Sequence, residues 1–230
     1  IDTVNWVEEL NPSAWKISSG LLTHIPLIKK IASLKRPLYI STGMANLEEI
    51  EQAILTAKNM GNEDITIFQC TSIYPTSPDL VNLSMIRKFK ERYNCSVGLS
   101  DHTSGSDVAF LSVAAGAEVI EKHFTFDTSR KGFDHHLSLD YAGFKNMVDR
   151  VRFAEKVMGD GEKIITSEIQ KVRNNSLRKL VALESIKKGD PFSKNNVGIK
   201  RNPSNSEGLK PALLDDLIGK KSLKDIQKNQ

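Results

Sequence analysis

Short apolar runs alternate with segments of helical periodicity through the first two thirds of the chain. The apolar runs cover 14–18, 37–42, 65–72, 95–102 and 118–124. Between them, apolar residues recur at three- and four-residue spacing, as in amphipathic helices, over 25–34, 46–60, 79–92 and 106–115. Asn46 and Ser106 precede two of these segments and are predicted helix N-caps. The pattern predicts repeated βα units around a parallel sheet.

The spacing of the predicted strand ends favours an eight-stranded α/β barrel of the TIM type. Successive strands end near Lys16, Ser41, Thr71, Ser100 and Glu121, close to the roughly 30 residues per unit of such a barrel. Five units are visible, and 1–10 is predicted to be a helix leading into the first of them, so about three units are expected upstream. A doubly wound sheet stays open as an alternative, although no glycine-rich phosphate turn follows any strand.

Two changes in the pattern of apolar and polar residues divide the chain into three parts. A final barrel helix is predicted over 140–158, and Gly159 and Gly161 end it. We therefore expect a partial barrel domain over 1–161, a polar linker over 162–176 and a small β-rich domain over 177–230.

Composition narrows the class of protein. With 230 residues, 39% of them hydrophobic, the chain can bury a sizeable core. The net charge is +4. The Lys and Arg residues are not interleaved with aromatic residues, as they usually are in nucleic-acid-binding surfaces, and this pattern argues against nucleic-acid binding. Cys70 and Cys95 form no CxxC motif and are expected to be buried thiols in a reducing cytoplasm. No apolar run reaches the roughly 18 residues of a membrane span, so no membrane partner is expected and the predicted location is cytoplasmic.

Polar residues close the predicted strands, where a parallel barrel carries its active site. Structural turns favour Gly, Pro, Asn or Asp, so Lys or His at a strand end indicates function. Lys16 supplies one cation among several hydroxyl donors, which suits a phosphate or a phosphate with a carboxylate. These hydroxyls belong to Ser18, Ser19, Ser41, Ser72 and Ser100. The alternative is a lysine that extends from a strand edge to solvent.

His102 and His123 follow neighbouring predicted strands. Two imidazoles near carboxylates suit a divalent metal such as Mn²⁺ with open positions for water or substrate. The alternative is two histidines that are hydrogen-bonded separately. His135 and His136 are weaker ligand candidates, and His24 is expected to be structural.

At these residues the sequence resembles the sialic acid synthase family. The motifs that carry the resemblance are KISSG (16–20), STGM (41–44), LEEI (47–50), CTSIYP (70–75), VNL (81–83), GLSDHT (98–103), GAEVIEKHFT (116–125) and FDHHLSL (133–139). The C-terminal part, with SIKKGD (185–190), KR (200–201) and LIGKK (217–221), resembles the antifreeze-like (SAF) domain of that family. The resemblance implies condensation of phosphoenolpyruvate with N-acetylmannosamine or a related N-acylated sugar.

The resemblance also implies a role for each matching residue. Phosphoenolpyruvate is expected at Lys16, Ser19, Ser41, Ser72 and Ser100, although the family often has Asn where this chain has Ser72. Mn²⁺ or Mg²⁺ is expected at His102 and His123, and the sugar at Glu121, Tyr74 and Asp134.

A domain-exchanged homodimer is implied as well, in which Arg201 reaches the partner's barrel and contacts the N-acyl group. Around Arg201 the chain has KRNPSNSEG where the family has a KRPGNG-like stretch.

Two other interpretations stay open. The first is a truncated, noncatalytic synthase that serves as a binding or oligomerisation module, because the family's first strands supply a glutamate and a lysine that this chain lacks. The second is a different metal-dependent barrel aldolase, which would use a Schiff-base lysine or a differently spaced histidine set.

Overall fold

A computed structural model describes residues 2–201 and 208–230 and divides the chain into two compact units, Ile1–Gly161 and Glu162–Gln230. The first unit alternates strands and helices along the chain. Its strands are β1 (Trp15–Ile17), β2 (Leu38–Ser41), β3 (Ile65–Cys70), β4 (Ser96–Asp101) and β5 (Ile120–Lys122). Its helices are α1 (Asp2–Glu9), α2 (Ile25–Ala32), α3 (Leu47–Asn59), α4 (Ser84–Tyr93), α5 (Asp107–Ala114) and α6 (Tyr141–Met158). The βα alternation predicted from hydrophobic periodicity is confirmed.

The strands form one parallel sheet in the order β1-β2-β3-β4-β5. This sequential order contains no reversal, so the sheet is not doubly wound. Lys16 on β1 and Glu121 on β5 form an ion pair of 3.4 Å although their strands are the two ends of the sheet order. The sheet is therefore strongly curled, with both side chains on its concave face.

Alternation along the strands separates an apolar from a polar face. Ile17, Ile40, Ile67 and Val97 face the helices and are at most 1% exposed. Lys16, Ser41, Ser100 and Glu121 alternate with such residues and face the concave side. Burial of the aliphatic side chains, worth about 1.5–3 kcal/mol each, holds the helices on the convex face.

Local sequence explains the helix starts. Asn46 caps α3 in a capping box, in which its side chain accepts from Glu49 N and Glu49 Oε2 accepts from Asn46 N. Ser106 is the N-cap of α5 as predicted, but its side chain makes no capping hydrogen bond. Its Oγ accepts instead from Arg150 Nη1 of α6 at 3.3 Å, which ties the two helices together.

The second unit contains α7 (Ser167–Ser176), β6 (Arg178–Ala182), β7 (Val197–Arg201) and α8 (Leu214–Leu217), with β6 and β7 antiparallel. Its core is formed by Leu180, Ala182, Ile186 and Val197. The segment 162–176, which was expected to be a linker, contains the helix α7. Thr166 caps this helix, and its side chain accepts from Ile169 N at 3.3 Å. That helix has no buried residue, which explains why its sequence resembles a polar linker.

The longest helix in the described part of the chain is α6, and neither it nor any shorter one there is apolar enough to cross a membrane.

Candidate active site

The strand-end residues of the first unit meet on the concave face of the sheet. Each comes from a different element: Lys16 from β1, Ser41 from β2, Ser72 from the loop after β3, Ser100 from β4 and Glu121 from β5. Parallel pairing brings these ends to one edge, and register places Ser100 directly opposite Glu121. The convergence expected from strand spacing is present in the fold.

Lys16 is the cation of this face. Its Nζ donates to Ser41 Oγ at 2.7 Å and lies 3.4 Å from Glu121 Oε2. Ser100 Oγ donates to the other oxygen of the same carboxylate at 2.7 Å. The Lys16 side chain remains 31% exposed, so an incoming anion can reach the ammonium without disrupting the core.

Two further hydroxyls lie at the same edge. Ser19 Oγ and Ser72 Oγ are 2.8 Å apart and hydrogen-bond to each other. Hydroxyl protons rotate freely, so this pair can turn its donors to an anionic ligand. Of the predicted anion residues, Lys16 therefore supplies one ammonium and Ser19, Ser41, Ser72 and Ser100 supply four hydroxyls, whereas Ser18, the fifth serine, is exposed.

The two histidines lie side by side. Their ring centroids are 5.3 Å apart with an interplanar angle of 67°. His102 Nδ1 donates to the backbone oxygen of Thr71 at 3.0 Å, since a carbonyl can only accept. This bond fixes the proton on Nδ1 and leaves Nε2 with a free lone pair. Burial lowers the pKa of His102, which keeps the ring neutral at physiological pH.

Tyr74 and Asp134 flank the histidine pair. The Tyr74 ring lies 4.2 Å from that of His102 and 5.8 Å from that of His123, between centroids. Asp134 Oδ2 is 3.9 Å from His123 Nδ1, too long for a direct hydrogen bond. Burial raises the pKa of Tyr74, so its hydroxyl remains a neutral donor and acceptor at the site.

The donor set fits a divalent cation at His102 and His123. A metal-binding imidazole usually donates its other ring N–H to a carbonyl or carboxylate, as His102 does to Thr71. Within the described residues no group of three or more His, Cys, Asp or Glu side chains is arranged to hold a metal. The described residues therefore supply two imidazoles, fewer than the four protein ligands of a structural metal site, and the remaining positions of a cation bound there would be open to water or substrate.

Gly43 and Cys70 are parts of the site that the sequence did not single out. A Cβ on Gly43 would collide with Ser72 Oγ and lie 2.8 Å from Cys70 Sγ. Cys70 Sγ is 3.9 Å from both Ser72 Oγ and His102 Nδ1, and burial raises the pKa of this thiol. The expectation of buried thiols holds for Cys70, whereas Cys95 is half-buried, and both are free. In the sequence, the position of Gly43 directly after the polar strand-end residues Ser41 and Thr42 could have indicated that a small residue is needed there.

Three histidines lie outside the pair. His24 accepts from Leu27 N at 3.2 Å and caps α2, so its predicted structural role is confirmed. His135 Nδ1 bonds Thr125 Oγ1 at 2.7 Å, which uses one ring nitrogen in the loop. His136 is exposed.

Arg201 belongs to the second unit. Its Nε donates to the backbone oxygen of Asn175 at 2.8 Å, within the same unit. The stretch after it that departs from the family pattern, 202–207, lies outside the described residues.

Comparison with known proteins places this site in a family. The chain is 38% identical over 232 residues to the N,N'-diacetyllegionaminic acid synthase of Campylobacter jejuni, covering 100% of this chain and 69% of that protein. It is 40% identical over 226 residues to the pseudaminic acid synthase of the same species, covering 98% of this chain and 65% of that protein.

A crystal structure of the Bacillus subtilis spore coat polysaccharide biosynthesis protein SpsE superposes with a TM-score of 0.64 at 32% identity, covering 97% of this chain and 67% of that one. The chain thus spans about two thirds of the length of these relatives. The signature of the NeuB family matches residues 1–163, the stretch that carries the histidine pair and Lys16. The chain therefore belongs to the NeuB family, the synthase family that its strand-end motifs resemble.

Proposed function

We propose that this protein condenses phosphoenolpyruvate with an N-acylated mannosamine-type sugar, giving a sialic-acid-type product and phosphate. The observation that carries the proposal is that Lys16, with its hydroxyl partners, and the His102–His123 pair lie on one concave face. The first group suits an anion and the second suits a cation that binds a carbonyl oxygen. Glu121 connects the two groups, because its carboxylate forms an ion pair with Lys16 and it lies two residues before His123 in the chain.

Phosphoenolpyruvate binds at Lys16 in this proposal. The ammonium and the hydroxyls of Ser19, Ser41, Ser72 and Ser100 supply charge-assisted hydrogen bonds to its phosphate and carboxylate. Ser41 and Ser100 are each 3% exposed, so these donors are held rigidly by the strands. Binding there orients the enol carbon toward the middle of the concave face.

The sugar binds beside the histidines. His102 and His123 would hold Mn²⁺ or Mg²⁺, which would polarise the aldehyde oxygen when bound. Tyr74 offers a neutral hydroxyl at the rings, and Asp134 a carboxylate that accepts from sugar hydroxyls. These contacts fix the aldehyde carbon opposite the enol carbon, which is the main requirement for carbon–carbon bond formation.

Glu121 handles protons between the two substrates. One of its oxygens accepts from Ser100, and the other faces Lys16. Its side chain is 43% exposed, so solvent can exchange protons with it. The terminal methylene carbon of the enol attacks the aldehyde carbon, and water adds to the neighbouring carbon that bears the phosphate. Phosphate then leaves with cleavage of that carbon's bond to oxygen, and the proton that the water releases balances the one taken up by the new hydroxyl. Glu121 is placed to give the new hydroxyl its proton.

The lysine chemistry of a Schiff-base aldolase fits this site poorly. An amine that forms an imine must be free to attack a carbonyl carbon. Lys16 Nζ lies 3.4 Å from Glu121 Oε2 and donates to Ser41 Oγ, so it stands among hydroxyl groups of the kind that bind an anion. The phosphate-binding role of Lys16 is preferred for this reason.

The finer architecture is also a proposal. By resemblance, the curled sheet belongs to an eight-stranded barrel and the second unit is an antifreeze-like domain. In a domain-exchanged homodimer, Arg201 of one protomer then contacts the sugar bound by the other. Arg201 lies on β7 of the antiparallel β6–β7 pair, which supports the proposal of a β-containing second unit.

The experiment that tests the function uses phosphoenolpyruvate labelled with ¹⁸O in the bridging position. Incubation with Mn²⁺ and a panel of N-acylated aldoses should release labelled phosphate and a sugar acid in equal amounts. The His123→Ala variant, which retains Lys16, serves as the negative control. Label retained in the sugar acid, or release of phosphate without any sugar, would overturn the proposal.

A further inference from the structure

A buried ion pair lies directly behind the two histidines. Lys122 Nζ donates to Asp101 Oδ2 at 2.9 Å, and the two side chains are 0% and 1% exposed. By contrast, the Arg36–Glu8 pair of the same unit is 27% and 30% exposed. The proposed reaction uses neither Asp101 nor Lys122.

The pair occupies the convex face of the sheet. Asp101 and Lys122 are register partners on β4 and β5, one position beyond Ser100 and Glu121. Alternation places them on the side opposite the site, in line with Leu99 and Ile120. Each charged residue is followed directly by one histidine of the pair.

Hydrogen bonds join this pair to the backbone on the far side of His102. Asp101 Oδ1 accepts from Thr103 N at 2.9 Å and from Thr103 Oγ1 at 2.7 Å. Lys122 Nζ also donates to the carbonyl oxygen of Thr103. The two neighbours of His102 in the chain, Asp101 and Thr103, are therefore hydrogen-bonded to each other. Both are also hydrogen-bonded to Lys122, the residue immediately before His123.

Stability alone gives no reason for charges at this position. Removing two charges from water costs several kcal/mol for each ion, and an apolar pair of similar volume often stabilises a fold at least as well. A directional network, however, adds side-chain ties between β4 and β5 at the last pair of their ladder, beyond which the backbone pairing no longer holds the two chains together. The residues that directly follow Asp101 and Lys122 are His102 and His123, so these ties act most directly on the position of the two histidines.

We infer that Asp101 and Lys122 are positioning residues that set the separation of the His102 and His123 rings for a divalent cation. The inference rests on the proposed function, in which that cation binds the sugar aldehyde. It concerns the geometry of the rings, which can be measured without any cation.

The test is the double variant Asp101→Asn with Lys122→Met, which removes both charges at nearly constant volume and leaves no lone buried charge. The amide introduced on β4 can still accept from Thr103 N, whereas the tie to β5 is lost. The control is Glu8→Gln with Arg36→Met, which removes an ion pair remote from the histidines. Unfolding midpoints are measured first, and phosphoenolpyruvate affinity reports whether the Lys16 side is intact.

Two readouts follow. In metal-free protein with labelled histidine, the nuclear Overhauser cross-peak between the His102 and His123 ring protons should weaken or vanish in the double variant and persist in the control. Mn²⁺ affinity in calorimetry should fall about 10- to 100-fold, as for losses of groups that orient metal ligands. Phosphoenolpyruvate affinity should be unchanged in both.

The outcomes separate the two claims. An unchanged cross-peak in the folded double variant overturns the positioning role, and so does equal loss of Mn²⁺ and phosphoenolpyruvate affinity, which would indicate a general packing defect. Wild-type protein that binds no Mn²⁺ while the cross-peak still depends on the pair would contradict the proposed metal chemistry and leave the positioning role standing.

Discussion

Lys16 and Glu121 are the first and last strand residues of the concave face, and their charged groups lie 3.4 Å apart. Their strands stand at opposite ends of the sheet order, so no neighbouring-strand pairing brings them together. The contact exists because the sheet curls, and it joins the proposed anion-binding side of the site to the carboxylate beside the histidines. Lys16 itself belongs to the proposed phosphoenolpyruvate side, so a change there is expected to affect that substrate more than the metal.

Lys16→Ala should weaken phosphoenolpyruvate binding about 10- to 100-fold, because a hydrogen bond to a charged group contributes about 1.5–3 kcal/mol. Mn²⁺ affinity should be nearly unchanged, since Lys16 does not touch either histidine. Both are measured by calorimetry, with Lys29→Ala on the exposed face of α2 as the control. An equal loss of both ligands would mean a folding defect instead of a lost contact.

Gly43→Ala should impair phosphoenolpyruvate binding without any change of charge. The added methyl group would displace the Ser72 hydroxyl and press on Cys70 Sγ, 2.8 Å away. Overpacking of this kind costs about 1–3 kcal/mol. Gly20→Ala is the matched control, because its Cβ would meet only Met44 Cε, at 3.4 Å. Equal affinities of the two variants would show that the close approach at Gly43 is unimportant for binding.

Removal of either imidazole should abolish Mn²⁺ binding and leave phosphoenolpyruvate binding largely intact. His102→Ala and His123→Ala are compared with His24→Asn, in which the new side chain can still cap α2. Electron paramagnetic resonance of free Mn²⁺ measures the loss directly. Retention of Mn²⁺ in both alanine variants would place the metal elsewhere.

The pH dependence of folding stability should include a contribution from Glu118. Lys90 and Ser96 donate to this carboxylate and lower its pKa below the ordinary value of 4.5. A lowered pKa means that the unfolded chain binds the proton more readily, so this stabilisation is present above pH 4.5 and is lost as pH falls through the folded pKa.

Urea unfolding of Glu118→Gln should accordingly show a shallower loss of stability with acid than wild type does. Glu91→Gln, on the exposed side of α4, should reproduce the wild-type slope. Identical slopes for all three proteins would exclude a contribution from the Lys90–Glu118 contact.

Subunit mixing tests the proposed role of Arg201. An Arg201→Ala protomer mixed with a His123→Ala protomer should recover part of the activity, because one of the two composite sites in the mixed dimer is intact. Arg178→Ala, which changes the exposed register partner of Arg201 on β6, should be active without mixing. No recovery after verified subunit exchange would mean that Arg201 does not serve a partner's site.

The sequence by itself determined the order of the elements and the chemistry at their ends. Hydrophobic periodicity located the five strands, and Asn46 was recognised as a cap, because both depend on residues close together in the chain. The strand-end motifs also contained Lys16, both histidines and Glu121, since parallel strands always deliver their carboxyl ends to one edge.

Only the tertiary structure decided how these groups meet. The Lys16–Glu121 contact depends on the accumulated curl of five strands, which no local pattern encodes. The helix α7 was hidden because a helix without a buried face lacks hydrophobic periodicity. Asp101 and Lys122 resemble two more polar strand ends in the sequence, and register across β4 and β5 made them a buried pair behind the histidines. Contacts between residues on distant strands depend on the positions of all the strands between them, so they are defined only in the folded chain.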